Sequence, residues 1–173
     1  MRGVVAGKIV RHRLAFRLIV SMAALCSHPD YAVSAEKLTL GAVEEVVVLP
    51  WNIKLPARID TGAATSSIDA RDIHVKGNTV EFKLFEPGEG QRVTLPVLGW
   101  RSIRTSEGEA RRPVVRIQVC IGPQLFFTTV SLNDRVKMEY ALLIGRNTLS
   151  GRFVVDVSHH NLLPPNCATG KAR

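Results

Sequence analysis

Short apolar runs recur along the chain, each cut by Gly, Pro, Asn or Asp. Most alternate with polar residues at a period of two, which predicts strands rather than helices. The expected strands are "LTLGAVEEVVVLP" (38–50), "IKLPARI" (53–59), "SSIDARDIHV" (66–75), "TVEFKLF" (79–85), "QRVTLPVLGW" (91–100), "RPVVRIQVCI" (112–121), "QLFFTTVSL" (124–132), "EYALLIG" (139–145) and "RFVVDVS" (152–158). The alternation in 66–75 shifts at Ile73, as a bulge would make it do. Gly77-Asn78, "PGEG" (87–90) and Gly122-Pro123 supply turns, and "RNTLSG" (146–151) fits one helical turn. No repeat and no long amphipathic helix is present. So many short strands imply an all-β domain, a small closed barrel with a short helical turn near the C-terminus.

Composition adjusts this picture at the two ends. The first 35 residues pair a basic stretch (Lys8, Arg11, His12, Arg13) with the short apolar run "LAFRLIVSMAALC" and then "YAVSA". That order predicts an export signal over 1–35, cleaved after Ala35, and a periplasmic or secreted domain over 36–158. The apolar run is shorter than the roughly 20 residues a spanning helix needs, so no stable membrane insertion is expected after cleavage. Residues 159–173, with two adjacent prolines and no periodicity, read as an irregular tail.

The formal net charge is +8. The leader's five basic residues against Asp30 account for half of it, which leaves a mildly basic domain with 18 basic and 14 acidic residues. No aromatic platform flanks its arginines, so nucleic acid is not an expected partner. Outside the leader, Cys120 and Cys167 remain. They could pair in an oxidising compartment or stay as two thiols. There is no CxxC and no HExxH. The adjacent His159 and His160 would point to opposite faces of a strand, so no metal or cofactor is expected.

Candidate chemistry sits at Asp60. It ends an apolar strand and is followed by Thr61, Gly62 and Ala63, then by Ser66 and Ser67. Asp-X-Gly alone is ordinary turn chemistry. About 80 residues later comes "ALLIGRNTL" (141–149), an apolar triplet followed by Gly145, Arg146 and Asn147.

This pairing resembles the retropepsin-type aspartic proteases. With "RTSEGEARRPVVRI" and "DRVKMEYALLIGRNTLSGRFVVDVS" it is similar to the bacterial retropepsin-like family long labelled "ATP-dependent zinc protease". Some members of that family are associated with ATP-grasp ligases that add glutamate tails. The resemblance implies a catalytic Asp60, a supporting loop of Thr61, Gly62, Ala63 and Ser66, and Gly145 with Arg146 packed behind it. Neither "zinc" nor "ATP-dependent" has residues here to carry it, since there is no zinc-ligand cluster and no Gly-rich Lys-Ser/Thr loop.

Hydrolysis by aspartates needs two carboxylates sharing one proton. One Asp-Thr-Gly per chain therefore implies a homodimer, with Thr61 bonding across it. Asp156 is the alternative second acid within the chain, although pairing with Arg146 or Arg152, or exposure to solvent, is the plainer expectation. Asp69 and Asp72 are expected on the outer face. Arg101–Pro113 is the expected flap. Arg104, Ser106, Glu107, Gly108 and Arg111 would touch a peptide or protein substrate, acidic if the arginines line the cleft. Two other readings compete: a non-catalytic peptide-binding module on the same barrel, and a zinc-dependent protease as the label suggests.

Overall fold

The computed structural model describes residues 36–84, 90–105 and 108–167. The expected export signal, residues 85–89, Ser106 and Glu107, and the last six residues of the tail lie outside the described residues.

Eleven strands and one helical turn follow in chain order: β1 (Leu38–Leu40), β2 (Val43–Leu49), β3 (Ile53–Ile59), β4 (Ser66–Lys76), β5 (Thr79–Leu84), β6 (Gln91–Pro96), β7 (Gly99–Thr105), β8 (Gly108–Ile121), β9 (Gln124–Asn133), β10 (Leu142–Ile144), α1 (Arg146–Leu149) and β11 (Phe153–Val155). Six strands close a ring in the order β10-β3-β2-β8-β9-β4, because β10 pairs with both β3 and β4. The fold is the all-β closed barrel that the alternation predicts, with its single helical turn after β10.

Period-two burial builds the core. Ile53, Leu55, Ala57 and Ile59 of β3 point inward, while Lys54, Pro56 and Arg58 point out. On β8, Val115, Ile117, Val119 and Ile121 do the same. Two strands outgrow the ring. The far half of β4 pairs with β5, which carries β6, and the first half of β8 pairs with β7 as a hairpin. The register of β4 against β5 shifts between Arg71 and His74, at Asp72, whose φ is 50°.

Four expected strands come out differently, one of them 152–158, where only Phe153–Val155 is strand and Asp156 lies beyond its end. The 38–50 run is two strands. At Gly41 a Cβ would sit 2.5 Å from the His159 carbonyl oxygen, so the backbone of residues 159–160 passes too close for any side chain. β1 leaves the barrel there and pairs in parallel with β11. The 91–100 run breaks after Pro96, and its end belongs to the β7–β8 hairpin. Of 139–145 only three residues are strand, held between neighbours on both sides.

The segment after β11 has no regular secondary structure through residue 167, yet it is tied down. Ala42 N–H donates to the His159 carbonyl at 2.7 Å, and Asn166 N–H to that of Gly122 at 2.7 Å. Cys120 and Cys167 form a disulfide. Glu44, fully buried, accepts N–H bonds from Gly41, Leu162 and Leu163 at 2.6, 3.0 and 3.1 Å. One inward carboxylate on β2 thus supplies acceptors to a segment that forms no ladder of its own.

Candidate active site

β3 delivers Asp60 at the rim of the barrel, and its N–H still bonds to the Ile144 carbonyl of β10 at 2.9 Å. The chain then turns. Asp60 Oδ1 accepts the N–H groups of Gly62 at 2.9 Å and Ala63 at 3.1 Å, which fixes the carboxylate on its own loop. Among the described residues no protein group bonds to Oδ2. Thr61 and Gly62 are exposed at the tip.

The "LLIGRN" segment backs this loop closely. A Cβ on Gly145 would lie 2.7 Å from the Thr65 carbonyl carbon and 2.9 Å from the Ala63 oxygen, so glycine alone fits. Arg146 N–H donates to Ala63 O at 2.9 Å, and its guanidinium donates to the carbonyls of Thr61 (2.9 Å) and Gly62 (2.6 Å). Ser66 sits buried beneath. Its hydroxyl receives Gly145 N–H at 3.0 Å, donates to Asn147 Oδ1 at 3.0 Å and meets the Thr148 hydroxyl at 2.7 Å. The structure therefore brings Asp60, Thr61, Gly62, Ala63, Ser66, Gly145 and Arg146 together in one hydrogen-bonded unit. Asn147 joins them, with Oδ1 on the Ser66 N–H at 2.7 Å and Nδ2 on the Thr129 carbonyl at 2.8 Å.

A cleft of about 340 Å³ runs beside the loop, lined on one side by Ala63, Ala64 and Thr65 and on the other by Arg101, Ser102, Ile103 and Arg112 of the hairpin. The expected flap is thus a β-hairpin flanking the loop. It presents Arg101 and Arg112 to the cleft, while Arg104 and Arg111 are not among the residues that line it. Arg111 lies 5.3 Å over the Trp100 ring. Gly108 begins β8 with φ +126°, a conformation only glycine adopts freely.

Asp69 corrects an expectation. It is 1% exposed, not on the outer face. It accepts the Arg135 N–H at 2.6 Å and the Arg71 Nε at 3.3 Å. Residues Ser66 to Ala70 are all buried, because β4 is flanked there by β9 and β10 while the chain around Arg135 reaches over its outer side. Asp72 is exposed, 2.9 Å from Lys83. Asp156 bonds to neither Arg146 nor Arg152. The hydroxyl and N–H of Ser158 and the imidazole of His159 hold it.

The residue that sequence reasoning missed is Arg135. Its Nη1 donates to Ser67 Oγ at 2.9 Å and its Nε to the Tyr140 carbonyl at 2.9 Å. Burial lowers its pKa and nearby Arg112 does so further, while Asp69 and Asp60 oppose them. Its guanidinium is thus within electrostatic reach of Asp60. It stands in an unremarkable polar stretch after β9, and only the fold brings it to the site.

A family model described as "Retropepsin-like aspartic endopeptidase RimB" matches residues 39–166. A probable alpha-L-glutamate ligase of Parasynechococcus marenigrum (strain WH8102) is 33% identical over 132 residues, covering 69% of this chain and 28% of that protein. One from Shewanella pealeana is 32% identical over 113 residues, covering 60% and 25%. The chain spans about a quarter of the length of these curated relatives. Among solved structures, the Legionella pneumophila protein Lpg0085, of unknown function, superposes with a TM-score of 0.65 at 23% identity, over 73% of this chain and 98% of that one. That likeness is one of fold.

Proposed function

The chain belongs to the RimB-like family of retropepsin-like aspartic endopeptidases, and from that premise we propose that it hydrolyses peptide bonds with Asp60 as its catalytic residue. The observation that carries the reading is the state of Asp60. One carboxylate oxygen is fixed by two backbone N–H groups, and the other meets no protein donor among the described residues, beside a cleft walled by a hairpin. A carboxylate so oriented can take a proton from water without first giving up a partner of its own.

The second acid comes from a second copy of the chain. The residues lining the cleft include no Asp or Glu, Asp69 is committed to Arg135 and Arg71, and Asp156 to Ser158 and His159. Thr61 and Gly62, exposed at the loop tip, are free to meet the same loop of a partner. Two Asp60 carboxyls then share one proton, one acting as base toward water and the other as acid toward the leaving amine.

The substrate is a peptide, acidic or rich in glutamate, and the protein works outside the cytoplasm. The leader pattern of residues 1–35 supports export, and so does the Cys120–Cys167 bridge, since disulfides persist in oxidising compartments. The relatives' ligase name belongs to proteins of which this chain matches a quarter, and the chain has no Gly-rich Lys-Ser/Thr phosphate loop.

Mixing is the test. Asp60→Asn keeps the Oδ1 acceptor for Gly62 and Ala63, so the loop stays folded while the shared proton is lost. With equal amounts of variant and wild type, random exchange leaves about a quarter of dimers with both aspartates. Activity should fall to that fraction of an all-wild-type sample at the same total concentration. A fall to only one half would mean that each chain carries a whole site, and full activity in the pure variant would remove Asp60 from the chemistry.

A further inference from the structure

The anchors of the segment after β11 divide into two groups. Residues 156–161 are bound backbone to backbone. Asp156 N–H donates to the Leu40 carbonyl at 2.8 Å, Ala42 N–H to that of His159 at 2.7 Å, and Asn161 N–H to that of Val43 at 2.8 Å. Residues 162–167 are held differently. Leu162 and Leu163 give their N–H groups to the Glu44 carboxyl at 3.0 and 3.1 Å. Pro164 and Pro165 have none to give. Asn166 N–H reaches the Gly122 carbonyl at 2.7 Å, and Cys167 is joined to Cys120.

Two observations set the second group apart. Leu163 packs against the core and sits on the β8–β9 turn, where a Cβ on Gly122 would lie 3.1 Å from the Leu163 Cβ. Glu44 is fully buried, with N–H groups as its hydrogen-bond partners and no ion pair among the described residues. A dry carboxyl without a cation gains from contact with water. Lifting residues 162–167 would hydrate it, so this stretch has a driving force to open that residues 156–161 lack. The covalent bond at its end opposes that tendency.

We propose that residues 162–167 form a redox-operated latch. It is closed while Cys120 and Cys167 are bridged. It is open once they are two thiols, with Leu163 off the β8–β9 turn and Glu44 in contact with water. The barrel and the Asp60 loop stay folded in both states, so the latch sets how well the chain withstands proteolysis in a given compartment and is independent of the chemistry at Asp60. The step is thiol–disulfide exchange with a dithiol reductant. Cys120 is 3% exposed and Cys167 is half-buried, so the attacking thiolate reaches the Cys167 sulfur. Cys120 leaves as a thiolate and takes up a proton. The reductant's second thiol then releases Cys167 from the mixed disulfide. Two electrons and two protons pass to the protein, and the reductant ends as a disulfide.

The test is limited proteolysis of the full chain with thermolysin, which cuts on the N-terminal side of large apolar residues. The Asn161–Leu162 bond lies at the edge of the latch. Three samples are compared: bridged protein, the same protein reduced and desalted without air, and the double variant Cys120→Ser, Cys167→Ser. Fragments are read by mass spectrometry after quenching and full reduction. Clipping before Leu162 should be about tenfold or more faster in the reduced protein and in the double variant, since cleavage tracks the population of the open segment. Cuts within β8 and β9 should stay as slow as in the bridged protein. Reoxidation with a small disulfide should return the reduced sample to the slow rate.

Equal clipping of bridged and reduced protein would overturn the latch, because the Glu44 and Gly122 bonds would then hold the segment by themselves. Digestion throughout the barrel on reduction would overturn it as well, since the bridge would then support the whole fold rather than one segment. A reoxidised sample that stays as susceptible as the reduced one would remove the reversibility that a switch requires.

Discussion

Asp60 and Glu44 both take hydrogen bonds from backbone N–H groups, and they end in opposite conditions. Glu44 is fully buried and uses both oxygens, Oε1 for Gly41 and Leu162, Oε2 for Leu163. Asp60 spends a single oxygen on its own loop and leaves the other toward the open rim. The first carboxylate is consumed by structure, since every oxygen serves a segment that would otherwise be unpaired. The second is oriented by structure and keeps one oxygen without a protein donor among the described residues. Carboxylates of the same chemistry are separated by how many acceptor positions the fold uses.

Amide substitutions at the two carboxylates should have opposite effects. Asp60→Asn should lower kcat/KM by about 10²–10⁴-fold, the range that a positioned acid or base contributes, with little change in Tm. Glu44→Gln should do the reverse: it replaces one acceptor oxygen with a donor, leaves a buried N–H unsatisfied and costs about 1–3 kcal/mol, with kcat per folded molecule retained. Peptide turnover and denaturant unfolding of the two variants side by side would decide it, and loss of stability in Asp60→Asn or loss of turnover in folded Glu44→Gln would erase the distinction.

The segment that Glu44 holds is held a second time by the Cys120–Cys167 bridge, which spans 47 residues. Loop-closure entropy for that span is about 4 kcal/mol. Replacing both cysteines by serine should lower unfolding free energy by up to that amount and leave the Asp60 loop intact, since the cysteines make no contact with it. A double variant as stable as the parent would show that Glu44 alone suffices.

The smallest effect concerns Asp156, another hydrogen-bonded carboxylate. The Ser158 hydroxyl first, then the Ser158 N–H and the His159 imidazole, hold its pKa below the ordinary 3.8. A carboxyl depressed in the folded state adds stability that is present above its unfolded value and is lost as pH falls through its folded value. The Tm of wild type should therefore exceed that of Asp156→Asn by a margin that shrinks once pH drops below about 3.8. A margin unchanged down to pH 2 would mean that the carboxylate contributes only shape.

Much of the barrel was legible because alternation is local. The bounds of β3 follow from Ile53, Leu55, Ala57 and Ile59 alone. The Asp60 loop with its glycine partner was legible as a pairing of two short motifs. What was hidden depends on close approaches across the chain. Nothing around Gly41 announces that residues 159–160 will press on it. Asp69 looks like an outward residue by polarity, and it turns inward because Arg135, 66 positions away, brings its own N–H to meet it. The hairpin arginines were visible as a group, but which of them line the cleft is set by how the hairpin stands against the Asp60 loop.

One consequence lies in the hydroxyls under the Asp60 loop. Asn147 commits its amide nitrogen to the Thr129 carbonyl, so its oxygen is the end that faces Ser66. An amide oxygen cannot donate, which obliges the Ser66 proton to point at it. Thr148 must then supply the proton between itself and Ser66, and Thr128 the one between itself and Thr148. Three rotors that could each choose among several settings are left with a single sequence of choices, Thr128 to Thr148 to Ser66 to Asn147. The floor beneath the Asp60 loop is a chain with a direction, and a reversal at any one link would leave another contact without a proton, since the Asn147 oxygen has none to give.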